Sequence, residues 1–80
     1  MLSDMKVTQR IEKNIVQAFK ILHSHGVCHG DVRGVNILVR KDESVVLIDF
    51  ERSVLNADKI MLLDEEDEVR HMLHLAKSRA

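Results

Sequence analysis

The chain has no tryptophan, no tyrosine and no proline, and its only aromatic side chains are two phenylalanines. Any core must therefore be aliphatic, built from Ile, Leu, Val and Met. A single cysteine excludes an internal disulfide and fits a reducing compartment. Neither sign of charge dominates: the formal net charge is −1, so there is no basic excess to hold nucleic acid or an anionic membrane surface. No apolar run approaches the roughly 18 residues of a membrane span. The N-terminal MLSDMKVTQRIEKN is polar and has no signal-peptide apolar run. These absences point to a soluble, cytoplasmic protein without a nucleic-acid or membrane partner.

What remains is ordinary for a globular chain. Of 80 residues, 45% are hydrophobic and 31% charged, too apolar for a disordered tail. The length allows at most one small domain, 1–80. Residues 8 to 24 predict a helix, because Ile11, Ile15, Ala18, Phe19 and Leu22 recur on one face. Thr8 is its candidate cap and Gly26 its natural stop. Residues 27 to 36, with Gly30 and Gly34, read as a loop. Residues 36 to 40 predict a strand, Lys41 to Ser44 a polar turn, and residues 45 to 50 a second strand, giving a β-hairpin. Both strands are apolar at consecutive positions, so Val27, Ile37, Leu38, Val46, Leu47 and Ile48 are expected in the core. Both hairpin faces then need cover, of which the first helix supplies one. Residues 51 to 63 are ambiguous. Residues 64 to 78 predict a final helix with Val69, Met72, Leu73 and Ala76 on its apolar face. Acidic residues crowd its start, and Lys77 and Arg79 lie near its end, complementing the helix dipole. The fold class is α+β, with two helices flanking a hairpin.

The stretch HSHGVCHGD, residues 23 to 31, concentrates chemistry. His23, His25, Cys28, His29 and Asp31 are all potential metal ligands. A structural zinc site typically uses two ligand pairs at Cys-x2-4-Cys or His-x3-5-His spacing. Here His23 and His25 point apart at a helix end. No second pair follows, since His71 and His74 lie in a polar, acidic helix. The spacing therefore argues against zinc, and Cys28 reads as a small buried hydrophobe.

A longer pattern extends downstream. His29-Gly-Asp31 is followed by Arg33 two residues on and Asn36 five after the Asp. Asp49-Phe50 then closes the predicted hairpin. This resembles the catalytic core of the protein-kinase-like superfamily, and the resemblance covers residues 10 to 52. It implies a partial large lobe: amphipathic helix, catalytic loop, hairpin and C-terminal helix. It implies ATP-dependent phosphotransfer with Mg-ATP as cofactor. Asp31 would be the catalytic base and Arg33 would lie near the transferred phosphate. Asn36 and Asp49 would be the Mg²⁺ and nucleotide ligands, both hard oxygen donors. His29 and Phe50 would be structural, His29 tying the loop to the Asp49 segment.

The match departs from the family in three ways. Gly30 stands where regulated protein kinases have an Arg that answers an activation-loop phosphate, so that switch should be missing. Asp49-Phe50 is followed by Glu51 instead of Gly, which should remove the backbone freedom for a regulatory flip. No glycine-rich phosphate loop and no preceding strand with a phosphate-binding Lys occur in these 80 residues. H-G-D and D-F-E resemble small-molecule kinases of the aminoglycoside and choline type, and divergent fungal-type kinase-like proteins. Three functions follow: a kinase-family core inactive alone, a non-catalytic interaction protein whose partner covers the hairpin face, or a piece of a small-molecule kinase.

Overall fold

The computed structural model describes residues 1–2 and 5–78. Helix α1 (Gln9–Ser24) begins where the sequence places a cap: the Thr8 hydroxyl accepts the Ile11 N–H at 3.1 Å. The helix ends at Gly26, whose φ of +71° is the left-handed conformation that glycine adopts without a Cβ penalty. Its apolar stripe buries Ile11, Ile15 and Phe19.

Strands β1 (Ile37–Val39) and β2 (Val45–Leu47) form the antiparallel hairpin, with Ile37 opposite Leu47, Leu38 opposite Val46 and Val39 opposite Val45. Both are shorter than the sequence predicts. Asn36 belongs to a single 3₁₀ turn, Gly34–Asn36. At the other end Asp49 adopts φ +61° and stops the ladder after the Ile48 N–H bonds the Asn36 carbonyl at 2.9 Å. Strand alternation sends Val39, Val45 and Leu47 with Ile37 toward α1. The opposite face is left open. Of the six expected core residues only Ile37 is fully buried; Val27, Val46, Leu47 and Ile48 are half-buried and Leu38 is exposed. The physical reason is that one helix covers one face and, among the described residues, no second element covers the other.

Helix α2 (Lys59–Ser78) begins five residues before the predicted start at 64. Asp58 caps it, its Oδ1 accepting the Met61 N–H at 2.9 Å. The acidic run Asp64 to Glu68 therefore lies beyond the first turn, and the cap supplies the N-terminal negative charge. Arg79 lies outside the described residues. On the apolar face Val69 and Leu73 are buried and Met72 and Ala76 half-buried, but Glu65 shares that stripe and is buried as well. Helices α1 and α2 pack antiparallel. The end of α1 meets the start of α2 through His23 and Glu65, and Lys77 reaches back to Glu12 at 3.1 Å.

Of the ambiguous residues 51–63, 59–63 belong to α2 and 51–58 are a return path. Ser53 N–H bonds the Phe50 carbonyl, Cys28 and Val54 exchange two backbone bonds at 2.9 and 3.0 Å, and Ala57 N–H bonds the Gly26 carbonyl at 2.8 Å. Leu2 also enters the core, at 1% exposure. No described helix is long and apolar enough to cross a membrane.

Candidate active site

The loop between α1 and β1 is fixed from below by His29, which is 1% exposed. Its Nε2 lies 2.7 Å from the Ile48 carbonyl, which can only accept, so Nε2 carries the proton. Its Nδ1 then accepts the Asp31 N–H at 3.2 Å. Both ring nitrogens are engaged, which leaves no lone pair for general-base work. The two phenylalanines of the chain flank this ring. Phe19 meets it edge-on with centroids 6.2 Å apart, and Phe50, itself exposed, lies at 4.7 Å.

Asp31 is held at three places. Its N–H is on His29. Its carboxylate takes two parallel bonds from Arg33, Nε to Oδ1 at 2.8 Å and a terminal guanidinium nitrogen to Oδ2 at 2.9 Å. Its carbonyl accepts Asn36 Nδ2 at 2.9 Å. The Arg33 fork lowers the Asp31 pKa below the ordinary carboxylate value, with partial desolvation working against it and Asn36 and Arg52 adding to it. Reciprocally, Asp31 raises the Arg33 pKa, and the charge of Asp49 adds to that. Arg33 itself points outward, with 64% of its side chain exposed.

The hairpin register carries Asn36 to the same end as Asp49, because Asn36 pairs with Ile48. Asn36 is buried, and with Nδ2 committed to Asp31 its Oδ1 is the atom left to act. Asp49 is exposed in the left-handed region, which Asp tolerates better than most residues. All six residues singled out in the sequence thus lie on one loop and one hairpin end. An amide oxygen and a carboxylate are a donor set that suits a hard cation such as Mg²⁺.

Glu65 was not foreseen. It rises from α2 beneath the loop, and its carboxylate accepts the His29 N–H at 2.8 Å, the Gly30 N–H at 3.0 Å and His23 Nε2 at 2.7 Å. The available signal was a charged residue in register with Val69 and Leu73 on an apolar face. Gly30 is equally constrained. It has φ +89°, and a Cβ there would collide with the Arg52 carbonyl oxygen. The glycine of H-G-D therefore has a packing cause in this chain.

Comparison with known proteins gives the family. The family model for the protein kinase domain matches residues 1–65. The chain belongs to the protein kinase domain family. It is 38% identical over 47 residues to Kinase suppressor of Ras A of Caenorhabditis elegans, covering 59% of this chain and 6% of that protein. It is 36% identical over 55 residues to Protein kinase YegI of Escherichia coli K12, covering 69% of this chain and 8% of the relative. With the Cyclin-dependent kinase 4 homolog of C. elegans the identity is 38% over 42 residues, or 52% and 10% of the two chains. The chain thus spans a tenth or less of the length of these relatives. No solved structure matches it.

Proposed function

We propose that this chain is the catalytic-loop core of an ATP-dependent phosphotransferase. In this reading Asp31 orients the acceptor hydroxyl and takes its proton, and Arg33 exchanges Asp31 for the transferred phosphate. Asn36 and Asp49 hold the Mg²⁺ of Mg-ATP, which when bound neutralises charge on the phosphoryl group. The observation that carries the reading is the anchoring of Asp31 at its amide, carboxylate and carbonyl by His29, Arg33 and Asn36. Such preorganisation is what phosphoryl transfer needs, since it asks for positioned charge more than covalent help. The exposed Arg33 fork supports the exchange, because a phosphate offers it the same bidentate geometry as a carboxylate.

By itself the span should bind Mg-ATP weakly and turn over negligibly. Asp49 and Arg33 face open water, where charge interactions are weak. The test is a titration of the isotope-labelled protein with Mg-ATP followed by amide NMR. Millimolar binding is expected, with shifts confined to residues 31–37 and 48–50 and abolished by Asp49→Ala. Micromolar binding, or binding indifferent to that substitution, refutes the assignment.

One observation favours a second reading. Leu38 is exposed on the open face of the hairpin with Val46 and Ile48 only half-buried, and Phe50 is exposed just beyond β2. In that reading the kinase core is a scaffold and a protein partner covers this face. The small-molecule-kinase alternative loses part of its support, because packing against Arg52 accounts for Gly30.

A further inference from the structure

Behind the Asp31 face, three metal-binding side chains converge. The ligand atoms of His23, Cys28 and Glu65 all lie within 4.8 Å of one another. His23 ends α1, Cys28 opens the loop, and Glu65 comes from α2. The sequence spacing argued against zinc because no second ligand pair follows HSHGVCHGD. The fold brings a carboxylate to that place from a distant helix. All three groups are sheltered: Cys28 and Glu65 are 4% exposed, and the His23 side chain is 10% exposed.

The chemistry of the trio is selective. Imidazole, thiolate and carboxylate together form a borderline donor set that suits zinc-like ions and not Mg²⁺ or Ca²⁺. Three protein ligands leave the fourth tetrahedral position open. A cavity of about 210 Å³ reaches Cys28 and Glu65 and is also lined by Asp64 and Glu68. It offers that position to water or to one of two further carboxylates, and its negative lining favours a cation.

We propose that His23, Cys28 and Glu65 form a binding site for a divalent zinc-class metal ion whose fourth position opens into the cavity beside Asp64 and Glu68. His23 Nε2 and Glu65 Oε1 are 2.7 Å apart. Ligand atoms around a tetrahedral zinc stand roughly 3.3–3.7 Å apart, given bond lengths of about 2.0–2.3 Å. The pair must therefore part by less than about 1 Å. The ion takes the place of the His23 Nε2 proton, which moves to Nδ1, and the Cys28 thiol proton passes to solvent. Glu65 keeps its bonds from the His29 and Gly30 amides. The metal dication, one thiolate and one carboxylate sum to zero charge. A bound ion would staple α1, the loop and α2 at one point, so it stabilises the fold by linkage. The proposal stands independently of the phosphotransfer reading.

The test is titration of the 80-residue protein with Co²⁺, followed by Zn²⁺ displacement. One equivalent should produce a thiolate-to-cobalt charge-transfer absorption and tetrahedral visible bands. Cys28→Ser should abolish the charge-transfer band, and His23→Gln should weaken binding at least about tenfold, no less than loss of an outer partner costs. His74→Gln, an exposed control, should change neither. If Cys28→Ser or His23→Gln fails to fold by circular dichroism, the wild-type protein still decides. Zn²⁺ should slow modification of Cys28 by a thiol reagent, and Mg²⁺ should not. No charge-transfer band, binding indifferent to Cys28→Ser, or equal modification rates with and without Zn²⁺ would overturn the proposal.

Discussion

At position 30 the backbone leaves room for a hydrogen atom and nothing larger, while at Gly26 no atom lies within 4 Å of an added Cβ. Both glycines have positive φ, so the two substitutions separate backbone strain from collision. Gly26→Ala should cost about 1–2 kcal/mol, the strain of a left-handed L-residue. Gly30→Ala should cost about 2–5 kcal/mol, adding forced movement of Arg52 to the same strain. Urea unfolding of the two variants measures the difference, and equal losses would remove the steric explanation. Arg33 makes a second residue-scale prediction. It holds the Asp31 pKa below the ordinary value in the folded state. The pair therefore stabilises the fold fully above the unfolded aspartate pKa of about 3.9. That contribution is lost as the pH falls through the lower folded-state value. In Arg33→Gln the Asp31 carboxyl should titrate at higher pH, toward the ordinary value, and carbon-detected NMR reads the midpoint directly. An unmoved midpoint would mean that Arg33 is not the main cause. Asp31, Arg33, Asn36 and Asp49 could be singled out because the motif restricts the residue type at each position, and the fold brings them to one loop and one hairpin end. The reason for Gly30 was not, because Arg52 approaches it only in the folded chain.

Among the elements, α1 was the most legible and α2 the least. The α1 apolar stripe and its cap are both local, and Thr8 and Gly26 bound it as the sequence indicates. Thr8 does more than cap: its hydroxyl also bonds Glu43, and Asn14 Nδ2 bonds the Glu43 carbonyl at 2.9 Å, which fastens the hairpin turn to the helix. Thr8→Ala should therefore cost about 1 kcal/mol or somewhat more, the upper part of the usual range for a cap. Thermal or urea unfolding gives the value, and no loss would mean that the cap is not formed in solution. The start of α2 escaped the sequence reading because Ile60, Met61 and Leu63 add no clean period, and none of the three is buried. The strands stopped short because Asn36 and Asp49 adopt the special backbone of the site itself.

For the whole molecule, Glu65 is the connection that makes the loop part of a fold. Its carboxylate satisfies two loop amides and one imidazole across a sequence separation of 35 to 42 residues. Glu65→Ala would orphan these donors in a buried setting. Urea denaturation should show a loss of at least about 2–4 kcal/mol. Hydrogen exchange should speed up at the His29 and Gly30 amides first. Retained stability with unchanged protection there would show that α2 does not anchor the loop.

The sequence by itself determined the α+β class, the helix α1 and the hairpin, and it singled out the candidate residues of one loop and one hairpin end. Each of these rests on local periodicity or on a short-range motif, and both are written within a few dozen consecutive residues. Tertiary structure alone decided which hairpin face stays open, why residue 30 is glycine, and where Glu65 points. These are contacts between distant segments: α1 on one hairpin face, Arg52 against Gly30, and α2 beneath the loop. Four of the five potential ligands of HSHGVCHGD divide by the same rule, and His25 stays exposed at the end of α1. Asp31 lies in the candidate active site with His29 buried beneath it as its support, and His23 and Cys28 meet Glu65.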